Sequence, residues 1–196
     1  MSRVPAHSLL VAVLLALAAG LAVSAHASAR RAGAPPGFGW FRAARPPDDW
    51  KAVALPSGGA ILSYPPTYRR IHGDIYSVSV GRRDGSGRVL VYLNATPKQG
   101  AETVANWVEF RLAHNRGESN DVHEDAHATG LTFRTGKGSC VIDDYRSRHV
   151  VNHYREIACF VRGRATAGVI VAAALQSQWA RAEKVLERAV EAFVVT

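Results

Sequence analysis

Two cysteines most limit how this chain can fold. Cys140 and Cys159 lie on the two arms of the segment GSCVIDDYRSRHVVNHYREIACFV, and both flanks read as strands. The midpoint between the arms falls at His149-Val150. A hairpin centred there sets the cysteines directly opposite one another. Bonded in that position they close a loop of about 20 residues, worth roughly 3 kcal/mol through restriction of the unfolded chain. No C-x-x-C is present, which disfavours a redox-active pair. The oxidised chain should therefore expose no free thiol in denaturant.

Whether the thiols are oxidised depends on compartment, and the first segment reads as an address. Arg3 supplies a charged start, and residues 9–23, LLVAVLLALAAGLAV, carry no charged or strongly polar side chain. That run is shorter than the ~20 residues a membrane-spanning helix needs. Ala25-His26-Ala27 fits the small-x-small cleavage rule, with Ala27-Ser28-Ala29 as a second choice. Residues 1–27 are thus expected to be a signal peptide for general secretion, with an uncleaved anchor as the alternative. Export implies an extracellular or envelope-associated protein and makes a disulfide the simplest state of a lone cysteine pair. No stable membrane insertion is expected after cleavage.

Over 196 residues, 47% apolar and 20% charged, the composition is that of one globular domain and not of a disordered chain. Two cysteines exclude disulfide-rich miniature scaffolds and multi-cysteine zinc ribbons. The formal charge is +8, and arginines outnumber lysines 20 to 4. A GC-rich bacterial genome explains that bias. The basic balance nevertheless favours contact with an anionic surface or polymer. No basic run or recognition motif points to nucleic acid.

Residues 28–47, SARRAGAPPGFGWFRAARPP, read as a tether, flexible to about Gly37, with Phe38, Trp40 and Phe41 expected to pack back on the domain. The domain proper is expected over 48–196. Short strands with turn punctuation follow: WKAVAL and GAILSYP flank one turn, and IYSVSVG and RVLVYLNAT flank another. In IYSVSVG, Ile75, Ser77 and Ser79 alternate with Tyr76, Val78 and Val80, which predicts one apolar face. Thr96-Pro97-Lys98-Gln99 resembles a capping box, and Val104, Trp107, Val108 and Leu112 keep helical spacing to about Asn115. With Gly100 weakening an earlier start, the spacing predicts a helix from about Ala101. Strands are expected over 122–128, 131–134, 139–146, 153–162 and 166–175, the last buried on both faces. A final helix is expected over 177–194, with Trp179, Ala182, Leu186, Val190 and Phe193 on one stripe. The fold class is α+β: an antiparallel sheet of about six to eight strands, with one internal and one C-terminal helix packed on it.

Residues 62–68, LSYPPTY, resemble the strand-then-YP..W signature of PsbP-like proteins. The helix after the second hairpin and the closing QWARAEKVLERAVEAF resemble that superfamily's internal and terminal helices. The resemblance spans about 48–196. The chain departs from the pattern at Tyr68, where tryptophan is usual, and at Ala192-Phe193, where Ser-Phe is usual. The resemblance implies a binding or assembly role and carries over no catalytic set.

The sharpest chemical motif is HEDAH at 123–127, which satisfies H-E-x-x-H. On a helix, His123 and His127 would hold zinc and Glu124 would polarise its water. Against this, Phe133 stands where the longer motif needs a third histidine, and Asp125 places a charge inside the helix. The alternation of Val122, Glu124, Ala126 and Ala128 with polar residues suits a strand, where the two histidines lie about 13 Å apart and cannot share an ion. His149 and His153 form a second pair that a turn could bring together. Asp143-Asp144 faces Asn152, His153 and Arg155 across the cysteine hairpin, which cross-strand charge pairing explains. No G-x-S-x-G or phosphate-binding glycine loop occurs. The sequence therefore supports an exported, non-catalytic binding or structural domain of the bacterial cell envelope. It needs no cofactor, and its partner is an unidentified macromolecule such as an anionic envelope polymer or protein. A zinc-dependent hydrolase using His123, Glu124 and His127 is the alternative.

Overall fold

The structure, a computed structural model, describes residues 35–147 and 152–196. The expected signal peptide and the start of the tether lie outside them, as do residues 148–151, where the hairpin turn with His149 is expected. In chain order the elements are β1 (Lys51–Ala54), β2 (Ala60–Tyr64), β3 (Arg69–Arg70), β4 (Val78–Arg83), β5 (Val89–Pro97), α1 (Trp107–Glu118), β6 (Ser119–Thr132), β7 (Lys137–Ser147), β8 (His153–Arg162), β9 (Ala167–Leu175), α2 (Trp179–Glu191) and β10 (Val194–Val195). The class is α+β, with an internal and a C-terminal helix on antiparallel sheets. Seven strands pair in the order β3-β4-β5-β9-β8-β7-β6, and a smaller sheet pairs β1-β2-β10.

The cysteine hairpin sets the register of the larger sheet. Cys140 pairs with Cys159 across β7 and β8, and the two are bonded. The whole ladder, from Lys137↔Arg162 to Arg146↔His153, keeps the centre expected from the sequence. Replacing both cysteines with alanine should lower stability to urea by about 3 kcal/mol. A loss under about 1 kcal/mol would mean that strand pairing alone constrains the hairpin in the unfolded chain. β9, next to β8, is buried along nearly its whole length because layers cover both faces.

One face of the larger sheet carries Leu93, Ile157, Ile170 and the disulfide, and packs against Leu62, Leu186, Val190 and Phe193 from the smaller sheet and α2. The opposite face carries Val141, Ala158, Phe160, Val169 and Val171, and packs against Trp107 and Leu112 of α1. Trp107 is fixed there by its indole N–H, which donates to Ala158 O at 2.9 Å. α1 covers only part of this second face.

Three segments differ from their expected form. β5 continues through Thr96 and Pro97, and α1 begins only at Trp107. Proline is tolerated because β4 begins, at Val78, only opposite Ala95, so Pro97 has a strand neighbour on one side only. The connection is held by the buried Glu102 carboxylate, which accepts from the backbone N–H groups of Gln99 and Gly100 at 2.6 and 2.7 Å. β4 starts at Val78, leaving Ile75 and Tyr76 in the loop before it. The final helix runs from Trp179 to Glu191, after a 3-10 turn, and the chain then extends as β10.

Residues 35–47 pack on the domain. Phe38 and Phe41 enter the main core, with the Phe41 ring 4.8 Å from that of Phe133. Glu191 fixes this segment: its carboxylate accepts from Arg42 N and its carbonyl from Ala44 N, both at 3.0 Å.

Candidate functional site

Where α1 stops short, the sheet face opens into a cleft of about 770 Å³. Its lining includes Ser79 from β4, Tyr92 and Asn94 from β5, Tyr145 from β7, Tyr154 from β8 and Arg111 from α1. The register explains this grouping, because side chains directly opposite each other in an antiparallel ladder share a face. Gly81 pairs with Tyr92, Tyr92 with Ala173, Ala173 with Glu156, and Glu156 with Asp143. Tyr145 pairs with Tyr154 in the same hairpin. Gly81 has to lack a side chain: a Cβ there would stand 2.3 Å from Val91 O and 3.2 Å from Tyr92 Cβ.

Below the cleft lies a buried charge cluster. Arg111 donates to both oxygens of Glu156, at 2.7 and 2.9 Å, and the Glu156 side chain is fully buried. Asn115, one turn on, donates to Asp143 Oδ2 at 2.7 Å and to Glu156 Oε1 at 3.2 Å. Burial would raise the Glu156 carboxyl, but the Arg111 guanidinium and the hydrogen bonds hold it below its ordinary value. Burial, and then the Glu156 charge, push Asp143 up to about 8. Asp143 Oδ1 is buried and accepts from no donor. A proton on Asp143 resolves that, because the protonated carboxyl can donate to Glu156. The cluster then holds one carboxylate, one guanidinium and one neutral acid.

The tyrosines stay neutral too. Burial raises Tyr92, Tyr145 and Tyr154 above the ordinary phenol value. The hydroxyls of Tyr92 and Tyr145 are 2.9 Å apart, and Tyr154 donates to Val89 O at 2.9 Å. Asn94 donates to Ser79 Oγ at 2.7 Å. At its floor the cleft therefore offers a ligand aromatic faces and neutral hydrogen-bonding groups, with the Arg111 guanidinium already paired to Glu156, while His72 and the exposed Glu118 also line it.

The sequence motifs lie elsewhere. Residues 122–128 are strand, within β6, but the expected even alternation is broken by ladder irregularities between Asn120 and His123, Glu124 and Ala126, and Ala128 and Leu131. His123 pairs with Asp144, which is on the disulfide face, and His127 pairs with Val141, on the α1 face. The two histidines thus point to opposite sides of the sheet. His127 instead sits 2.5 Å from Glu124. Among the described residues, no group of three His, Cys, Asp or Glu side chains could hold a metal ion. The pair formed by His149 and His153 involves a residue outside those described.

The carboxylate reading changes in part. Asp144 faces Arg155 and pairs with it at 3.0 Å, as cross-strand pairing predicts. Asp143 does not share that partner set: it faces Glu156, a like charge. The hairpin centre fixed by the cysteines already implies Asp143 opposite Glu156 and Tyr145 opposite Tyr154. Arg111 and Asn115, the groups that make the acid pair tolerable, come from α1 and had no local signal.

Neither a family model nor a curated protein sequence matches the chain. Solved structures do. A Pseudomonas aeruginosa protein of unknown function shares 11% identity, covering 75% of this chain and 97% of its own, at a TM-score of 0.49. The cyanobacterial PsbP of Synechocystis shares 10% identity, covering 76% of this chain and 93% of its own, at a TM-score of 0.52. With the element order, the paired helices and the antiparallel sheet already in place, this likeness gives the fold as PsbP-like.

Proposed function

We propose that the chain is an exported, non-catalytic binding domain of the bacterial cell envelope and that it holds a partner in the cleft beside α1. The observation that carries this is the internal compensation of the charges at the cleft floor. Arg111 is spent on Glu156. Asp143 is protonated near neutral pH, and the tyrosines keep their protons. Such groups bind and orient, and none of these floor residues is poised as a nucleophile or general base. The disulfide supports a location outside the reducing cytoplasm. The excess of arginine supports an anionic partner in the envelope.

Fractionation of the host tests this. The chain should be recovered with the envelope at low salt and released at moderate salt, as screened electrostatic docking requires. An Asn94→Ala/Tyr145→Phe variant, with unchanged melting temperature, should appear several-fold enriched in the soluble fraction. Cytoplasmic recovery would overturn the export reading. Envelope retention untouched by the variant would overturn the role of the cleft.

A further inference from the structure

The loop between β3 and β4 carries an unusual pair. Ile75 is 80% exposed and Tyr76 63% exposed, and Phe110 at 36% is the other large apolar side chain left open among the described residues. The two are consecutive, and the loop that presents them is held in shape. Ile71 N donates to Ser79 O at 3.0 Å, and the Ser77 backbone and hydroxyl both donate to Asp74 O at 2.9 Å. Ile75 and Tyr76 are thus displayed at the tip of a closed loop.

The strands that carry this loop are basic. Arg69 and Arg70 form β3, and Arg82 and Arg83 end β4. All four are exposed. Among the described residues, none of the four pairs with a carboxylate, whereas the nearby Arg88 pairs with Asp84 at 3.1 Å. Arg69 lies opposite Gly81 and Arg70 opposite Val80, so their side chains flank the two faces of this sheet edge. Asp74 is the sole acid between Arg69 and Arg83. The edge therefore presents four uncompensated guanidinium groups spread along its length, Arg70 and Arg69 nearer the loop and Arg82 and Arg83 at the far end of β4, with the apolar Ile75-Tyr76 pair at one end.

We infer that this edge docks on an anionic lipid bilayer, with Ile75 and Tyr76 entering the headgroup region and the four arginines meeting lipid phosphates. Tyrosine suits the membrane interface, where its ring is buried and its hydroxyl stays wet. Arginine matches phosphate oxygens with two parallel N–H groups. A soluble polyanion would use the arginines but leave Ile75 and Tyr76 in water, so the bilayer accounts for both features. The inference goes beyond the cleft reading and uses none of the cleft's hydrogen-bonding side chains.

The test is made on the full chain. Both native cysteines are bonded, so a Tyr76→Cys substitution adds a single free thiol that can carry an environment-sensitive nitrobenzoxadiazole label. A label on Ala180→Cys, at an exposed position of α2, serves as the control. Vesicles of phosphatidylcholine with about 30% phosphatidylglycerol, at about 0.1 M salt, are compared with pure phosphatidylcholine. Label at position 76 should brighten several-fold and shift to the blue only with the anionic vesicles, while label at 180 stays unchanged. Combining Arg69→Gln, Arg70→Gln, Arg82→Gln and Arg83→Gln should weaken the response at least about tenfold. An equal response at 76 and 180, an equal response to both vesicle types, or persistence after the arginine substitutions would each overturn the proposal. So would binding of soluble polyphosphate that is as tight as vesicle binding and unaffected by Ile75→Ser/Tyr76→Ser, because that would mark a polymer site.

Discussion

Arg111→Ala is expected to lower stability by about 3–5 kcal/mol, the range for stripping one partner from a buried ion pair. The effect follows from what is left behind. Glu156 has no exposed side-chain surface, and its two oxygens both accept from Arg111. Without the guanidinium, Glu156 faces Asp143 with only the amide of Asn115 between them. Glu156 would then be driven neutral, as Asp143 already is, and α1 would keep only the Trp107 and Asn115 hydrogen bonds as polar attachments to these strands. The double variant Arg111→Met/Glu156→Gln should recover most of the loss, because it removes the stranded charge together with its partner. Urea unfolding at neutral pH measures both. A single-variant loss under about 1 kcal/mol would show that water reaches Glu156 through the cleft and replaces the guanidinium.

The second large effect lies in the pH dependence. Asp143 is raised to about 8 in the folded protein. Its unfolded value is about 3.9. Between those limits the native state keeps a proton that the unfolded state has lost, so stability falls as pH rises. The slope approaches about 1.4 kcal/mol per pH unit and vanishes above the folded value. Glu156 acts with the opposite sign. Its carboxyl is held low, so its contribution is complete above the ordinary carboxylate range and is lost only on acidification through its folded value. The fall in stability between pH 5 and 8 is therefore assigned to Asp143. Asp143→Asn imitates the protonated acid, with an oxygen for Asn115 and an N–H for Glu156. It should leave stability near pH 5 little changed, flatten this fall, and raise stability at pH 8 by about 2–4 kcal/mol. Unfolding midpoints across this range check it, and a variant that keeps the wild-type slope would remove Asp143 from the account.

The hairpin that holds these groups was readable because its cysteines fix a centre and the pairing of every other residue follows arithmetically. The acid pair was not recognised, although that centre places Asp143 opposite Glu156. Like charges across a ladder look like an error until a third element supplies a cation. That cation sits on α1, which begins only at Trp107, after a connection held by side-chain hydrogen bonds of Glu102 and of Thr103 with Asn106 that apolar periodicity does not report. The apolar stripe of α2 and the buried run of β9 were plain, since periodicity and uniform apolarity report burial directly. The faces of β6 were not, because an extra residue in a ladder turns every later side chain over without changing the alternation seen in the sequence.

The pairing of β10 with β2 ties together distant parts of the chain. Val194 lies opposite Ile61 and Val195 opposite Ala60, and Thr196 bonds to Gly59 and Thr166. β2 offers its second edge, and the apolar row of Ala60 and Leu62, to a strand that follows every other element. Until that strand arrives, the smaller sheet is a two-stranded hairpin with an open side, and its layer of the core is unsealed. Such long-range closure is slow to form. For a polypeptide made from its amino end, the topology therefore sets an order: the larger sheet has all its strands before β10 exists, and the smaller sheet is sealed last.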